Sequence, residues 1–242
     1  MRQPELGQRS ATDAPRARRD ITLLGFVAAF VDTCGFIGLF GVFTAHVTGN
    51  FVLIGAALVY GHGDLLAKLL VLPMFMVAVA ATYFASVWCE RRRAPLVGPG
   101  LLCEAVLLLA TIATAWSGGG LKDAATPLSL VAALLLAAAM GLQNGLNRLA
   151  YPRLPPTTVM TGNVTQIVID LMTLAFAGRD APGAARRAES VQRVRHLLPL
   201  IIAFTLGAAG GAAGFAWLGF GCLILPALAC LFLAIDALVR RV

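Results

Sequence analysis

Two stretches of this sequence share one pattern: Thr44–Asn50 reads TAHVTGN, and Thr157–Asn163 reads TTVMTGN. The shared pattern is T-x-x-x-T-G-N, and its two copies lie 113 residues apart, close to half of the 242-residue chain. Each copy stands immediately before a short apolar run, Phe51–Tyr60 in the first half and Val164–Ala177 in the second. The repeat therefore predicts an internal duplication of one structural unit.

Long apolar runs surround both copies of the motif. A membrane-spanning helix needs about 20 mostly apolar residues, because the hydrocarbon core of a bilayer is about 30 Å thick. As helices, the two short runs would be only roughly 15 and 21 Å long. Six other runs are long enough to span: Ile21–Gly41, Leu69–Cys89, Gly98–Trp116, Pro127–Leu149, Leu197–Leu218 and Phe220–Val239.

The composition agrees with a membrane protein. Apolar residues make up 59% of the chain and charged residues 13%, whereas soluble domains are about 45–50% apolar and about 25% charged. The formal charge of +7 comes largely from arginine clusters that border apolar runs. That placement is typical of topology signals and argues against nucleic acid as a partner.

The arginines also indicate how many runs cross the membrane. If both short runs span, eight crossings result, and Arg91–Arg93 fall outside, against the positive-inside rule. If both short runs enter and leave on one side, every arginine cluster lies inside with both termini. These clusters are Arg16 to Arg19, Arg91–Arg93, the loop Arg179–Arg195, and Arg240 with Arg241.

The predicted fold is therefore an all-α integral membrane protein with six transmembrane helices and two short re-entrant helices, each led by TGN. Residues 1–20 are expected to form a disordered cytoplasmic tail, and residues 21–242 a single membrane domain. Repeat A covers about 21–116 and repeat B about 127–239. Because each repeat crosses three times, the second must be inverted relative to the first. Inverted repeats place binding sites near the midplane, at discontinuous helices.

The same residues carry a family resemblance. FVDTCGF (Phe30–Phe36) with FTAHVTGN (Phe43–Asn50), and MGLQNGLNR (Met140–Arg148) with TTVMTGNVTQ (Thr157–Gln166), resemble the two halves of the YoaK family. The resemblance covers about Ile21 to Val239. It implies a multi-pass protein of the bacterial inner membrane. It implies no particular activity.

Polar residues in and beside the spans are the candidate site residues, because ionisable groups in hydrocarbon usually face a cavity or a partner. Asp32 is expected to face the bundle interior and to contact Thr48, Asn50 or the Gln143–Asn144 pair. Asn50 and Asn163 are expected to cap their short helices or to bond into a central cavity. The full set is Asp32, Thr44, His46, Thr48, Gly49, Asn50, Gln143, Asn144, Thr157, Thr161, Gly162 and Asn163.

Other polar residues are better explained by structure. Glu104 and Asp236 lie near the inner ends of their spans and are expected to pair with Arg91–Arg93 and with Arg240 or Arg241. The spacing of histidines and cysteines indicates no metal site, disulfide framework or cofactor. A lone His46 is more often structural than a ligand, although it could relay protons.

Three functions are compatible with these patterns. The first is a small transporter or channel-like protein with a midplane site at the paired TGN motifs, acting on a small polar solute or ion. The second is a non-transporting scaffold that helps to assemble other membrane proteins. The third, an intramembrane enzyme using Asp32 and His46, lacks a matching pair in the second half, so no catalytic residues are expected. The substrate and the oligomeric state do not follow from the sequence.

Overall fold

The structure is a computed structural model that describes residues 13–60, 65–117, 120–121, 123–178 and 180–240. All regular structure in this part of the chain is helical. The helices are α1 Asp13–Gly38, α2 Gly49–Tyr60, α3 Leu65–Arg92, α4 Val97–Ser117, α5 Pro127–Ala150, α6 Met160–Phe176, α7 Ala181–Leu218 and α8 Ile224–Val239, with a 3-10 turn at Gly219–Leu223 between the last two.

Within these ranges, five helical stretches are long and apolar enough to cross a membrane. Helices α2 and α6 are apolar but shorter, as the sequence predicts. Helix α1 begins at Asp13, inside the stretch predicted to be a disordered tail, and residues 1–12 lie outside the described ranges. The five stretches are Pro15–Gly38, Leu65–Arg92, Val97–Ser117, Pro127–Ala150 and Ala181–Val239.

The outer surface of the bundle is apolar. Large hydrophobic side chains are exposed on every helix, and Trp217 and Val59 are 86% and 80% exposed. A soluble monomer rarely exposes apolar patches of more than a few hundred Å². The chain is therefore a helical protein whose apolar exterior suits a lipid bilayer.

Helix α7 packs along α1 in the same direction. A Cβ atom built on Gly207 would lie 2.3 Å from the Phe26 carbonyl oxygen, and one on Gly211 would lie 2.5 Å from that of Phe30. The two backbones approach this closely because glycine has no side chain. Small residues allow the same close approach between membrane helices in general.

The chain then reverses between α7 and α8. Gly219 has φ of +54°, in the left-handed region that favours glycine. After this turn, the Cys222 Sγ atom lies 3.5 Å from Cys34 Sγ, and at the far end of α8 Arg240 bonds to Asp20. Helix α8 therefore runs antiparallel to α1, so the last apolar stretch contains two oppositely directed segments.

The helix pairs of the two halves correspond. Helix α3 packs along α5 in parallel, with Gly141 against Phe75 and Gly145 against Thr82, as α7 packs along α1. Helix α4 packs against α8, and α1 packs against α5. Exchanging α1 with α5, α3 with α7 and α4 with α8 reproduces the same set of neighbours. This is the pattern that an internal duplication produces.

Candidate functional site

Asp32 ties the first loop to α1. The carboxylate is 5% exposed, which confirms that Asp32 faces the interior. Its Oδ1 atom accepts hydrogen bonds from the backbone N–H groups of Thr44 and Ala45, both at 2.7 Å, and from the Thr44 hydroxyl at 3.3 Å. The hydrogen bonds of Asp32 do not go to the expected partners, which were Thr48, Asn50, Gln143 and Asn144. The loop folds back along α1, so its own backbone N–H groups bond to the carboxylate.

His46 pairs with the other oxygen of this carboxylate. Its Nδ1 atom lies 2.6 Å from Asp32 Oδ2, and its ring packs edge-on against Phe204 of α7 at 5.6 Å between centroids. The imidazole is about one-third exposed, whereas the carboxylate is buried. A carboxylate beside an imidazole favours the protonated, positively charged ring. The pair can therefore hold or pass on a proton at the edge of the buried region.

The second loop is held in the same way by α5. Asn144 Oδ1 accepts from the Thr158 hydroxyl at 2.6 Å, and Gln143 Nε2 donates to Thr157 Oγ1 at 3.3 Å. Gln143 Nε2 also donates to the Leu24 carbonyl oxygen of α1 at 2.9 Å. In repeat B, neutral amide side chains therefore hold the loop, whereas in repeat A a carboxylate holds it.

The two loops meet inside the bundle. The imidazole of His46 lies close to the backbone of Thr158, which belongs to the second loop. The residue equivalent to Thr158 at the 113-residue offset is Ala45, the neighbour of His46. The segments just before the two TGN triplets are therefore neighbours in the structure.

Asn50 and Asn163 brace their loops and do not cap helices. Asn50 Oδ1 accepts from the Phe43 backbone N–H at 3.0 Å, and Asn50 Nδ2 donates to the Phe43 carbonyl at 2.8 Å. Asn163 Nδ2 donates to the Pro156 carbonyl at 2.9 Å. Pro156 stands at the position equivalent to Phe43 but has no N–H to donate. The expectation of helix caps is corrected, since each amide bonds seven residues back along the chain.

Replacing Asn50 by leucine should destabilise the protein more than replacing Asn163. The first change leaves a part-buried N–H and a carbonyl of Phe43 without partners, whereas the second leaves only the Pro156 carbonyl among backbone groups. An unsatisfied buried polar group costs about 1–3 kcal/mol. The free energies of unfolding of Asn50→Leu and Asn163→Leu, measured in mixed micelles, should differ in that order. An equal or larger loss for Asn163→Leu would contradict this account.

The remaining TGN residues lie on the outside. Thr48, Thr161 and Gly162 are exposed, and Gly49 is half-buried. A helix turns by about 100° per residue, so residues two positions apart face nearly opposite directions. When Asn50 and Asn163 point inward, Thr48 and Thr161 point outward, which differs from the expectation that they line a central site.

A cavity reaches the anchor of the second loop. It has a volume of about 320 Å³ and lies between α3 and α5, with Tyr83, Asn144 and Arg148 among its lining residues. Asn144 therefore faces this cavity and also bonds to Thr158. Polar contacts continue from there through Thr158 and His46 to Asp32.

Sequence reasoning missed the residues that complete this site. Ala45, Phe43 and Pro156 act through their backbones, so no side-chain pattern could reveal them. Thr158 could have been found, because it carries a hydroxyl at the position equivalent to Ala45 and adjoins Thr157. Groups of three or more histidine, cysteine or acidic residues that could hold a metal ion are absent from the residues the structure describes.

Two further polar clusters hold the helices together. Asp20 is buried and bonds to Arg240 at 3.0 Å, and Asp236 pairs with Arg240 at 3.0 Å and with Arg19. The predicted pairing of Asp236 with Arg240 is confirmed. In the second cluster, Asp170 of α6 accepts from Ser190 and Arg193 of α7. These clusters join α1 to α8 and α6 to α7, and a structural role explains them.

Comparison with known proteins places the chain in a family without assigning a function. No curated protein and no solved structure shows significant similarity to the chain. A family model described as a protein of unknown function (DUF1275) matches residues 21–235, which include both TGN motifs and both loops. The chain therefore belongs to the DUF1275 family of proteins of unknown function.

Proposed function

We propose that this protein is a small transporter or channel-like membrane protein whose site lies where the two loops meet. The observation that carries the proposal is that His46, which is paired with Asp32, lies close to the backbone of Thr158 in the other repeat. Non-helical backbone at membrane depth is tolerated where it is buried in protein or lines a water-filled cavity, and inverted-repeat proteins place their binding sites at such segments.

The proposed site contains hydrogen-bond donors and acceptors, some on ionisable side chains and some on neutral ones. Asp32 and His46 supply the ionisable pair, Thr44 and Thr157 supply hydroxyls, and Gln143 with Asn144 supply amides. Such a set suits a small polar solute or an ion. Several of these groups already bond to the loops, so binding would require them to exchange partners as the loops shift. The cavity beside Asn144 supports a route of access to the second loop.

In the membrane, we infer six crossings and two re-entrant helices, with both termini in the cytoplasm of a bacterial cell and the chain in its inner membrane. The arginine clusters support this arrangement, and so does the reversal between α7 and α8. The finer resemblance to the YoaK group supports the bacterial inner membrane as the location.

Cysteine labelling tests the arrangement directly. Arg92→Cys and Lys122→Cys would be made separately in a background without the native cysteines, and intact cells treated with an impermeant thiol reagent. We expect labelling at position 122 and protection at position 92. The reverse result would favour eight crossings.

Water access and solute flux test transport. Ala45→Cys and Thr158→Cys replace buried, equivalent positions, and in a transporter both should react slowly with a small water-soluble thiol reagent. Proteoliposomes would be challenged with glycerol, urea and monovalent salts, and shrinkage and reswelling followed by light scattering. Flux above that of protein-free vesicles, reduced by Asp32→Asn, supports the proposal. Unreactive cysteines together with no flux would favour the scaffold.

The Asp32–His46 pair also has the composition of an acid–base couple, but we assign it no reaction. A reaction would need a second ionisable pair, and repeat B has only the neutral Asn144 and Gln143 at the matching anchor of its loop. Binding and proton movement need no such group.

A further inference from the structure

Glu104 is a buried carboxyl group without a partner. It lies in α4, its residue is 0% exposed, and neither of its oxygens has a hydrogen-bond partner among the described residues. The expected pairing with Arg91–Arg93 is therefore wrong. Those arginines lie at the C-terminal end of α3 and beyond it, whereas Glu104 projects into the packed interior one to two turns along α4.

Glu104 lies where the two repeats of the fold meet. Helices α4 and α8 are equivalent members of the two repeats and pack against each other. Glu104 and Cys230 stand 126 residues apart, the same offset that separates the helix-interior prolines Pro73 and Pro199. The Cys230 thiol lies beside the Glu104 carboxyl group, and no hydrogen bond joins the two. The two residues thus occupy matching sites and face each other where the repeats meet.

The surroundings hold few other ionisable groups. Cys230 of α8 and Cys103, the neighbour of Glu104 in α4, are the groups that interact with it. Helix α5 carries Arg148, which is exposed, and the 3-10 turn carries Cys222, whose thiol contacts Cys34. No cation among the described residues approaches the carboxyl group. An isolated carboxylate in such an apolar place is too costly, so the group must hold its proton.

We propose that Glu104 is a proton-binding site in the interface between α4 and α8. Given the transport function proposed above, on which this role rests, the proton of Glu104 is the coupling ion. It is released when the interface opens to water and taken up again when the interface closes. An inverted-repeat protein that alternates between two states must change this interface, because it joins the two repeats. Asp32 and His46 then belong to the solute site and do not carry the coupling proton.

Infrared spectroscopy and carbodiimide labelling of the full chain test the protonation. At neutral pH the wild-type protein should show a carbonyl band of a protonated carboxylic acid that Glu104→Gln lacks. The matched control Glu90→Gln, at an exposed carboxylate near the C-terminal end of α3, should keep that band. Dicyclohexylcarbodiimide, which adds to neutral carboxylic acids in apolar surroundings, should modify Glu104 about tenfold or more over ion-paired Asp32.

The outcomes separate this inference from the proposed function. A carboxylic acid band identical in wild type and Glu104→Gln would overturn the proton site whether or not labelling occurs. If the band is lost in Glu104→Gln but no solute flux exists, the proton site stands and the transport proposal fails. If flux exists and Glu104→Gln keeps its rate and pH dependence unchanged, Glu104 is not the coupling group.

Discussion

Replacing Asp32 by leucine should abolish folded protein, whereas Asp32→Asn should fold with reduced stability. Leucine removes the acceptor for the backbone N–H groups of Thr44 and Ala45 and leaves His46 without its carboxylate. Each unsatisfied buried group costs about 1–3 kcal/mol, and proteins are stable by only about 5–15 kcal/mol. Asparagine keeps an oxygen where both N–H groups point, so it retains the loop and loses the charge.

The measurement is the yield of monodisperse protein after detergent extraction, with the thermal midpoint of whatever remains. Asn163→Leu is a suitable comparison, because it removes one hydrogen bond to the backbone of the corresponding loop and a weak one to the Met160 sulfur. If Asp32→Leu gave as much folded protein as wild type, the carboxylate would not hold the loop, and the site would lose its anchor.

A side chain at Gly207 should separate α7 from α1. A Cβ atom there would stand 2.3 Å from the Phe26 carbonyl oxygen, a backbone atom that cannot move aside by rotation. Overpacking typically costs about 1–3 kcal/mol and occasionally more, and contact with a neighbouring helix backbone leaves few ways to relax. We therefore expect Gly207→Ala to lower the thermal midpoint strongly and Gly207→Leu to prevent folding.

Gly55→Ala provides the matched control. A Cβ atom at Gly55 in α2 would meet nothing within 4 Å, so alanine should be neutral or slightly stabilising through its helix propensity. At Gly210, one turn from Gly207, a Cβ atom would meet side chains and no backbone, Phe30 at 3.3 Å and Phe26 at 4.0 Å, so alanine there should give an intermediate result. Equal midpoints for Gly207→Ala and Gly55→Ala would show that the two helices are not as close as described.

The helices were predictable because the sequence signal of a membrane helix lies within the helix itself. Apolar runs of about 20 residues predict spans whatever their neighbours are, and α4 at Val97–Ser117 lies close to the predicted run Gly98–Trp116. Helix ends were less predictable. Helix α3 starts at Leu65, close to the predicted run, but α7 starts at Ala181, well before its apolar run, since helical hydrogen bonds continue into polar residues.

The loops of the candidate site were predictable in position, and their hydrogen bonds were not. The repeated motif drew attention to the loops before α2 and α6, and both loops are partly buried and tethered. The assignment of partners was wrong for Asp32 and for Asn50, because their hydrogen bonds go to backbone groups of Thr44, Ala45 and Phe43. Backbone donors are the same at every residue, so no sequence pattern distinguishes which of them will be used.

Taken alone, the sequence determined that this is an all-helical chain of apolar segments, duplicated at an offset of 113 residues, with charges at the segment ends. Composition and periodicity suffice for that, because each helix satisfies its own backbone within the bilayer. Only the tertiary structure decided that the loops of the two repeats lie close together at His46 and Thr158, and that Glu104 faces Cys230 away from any arginine. Those contacts join residues more than a hundred positions apart, and their geometry depends on how whole helices pack against one another.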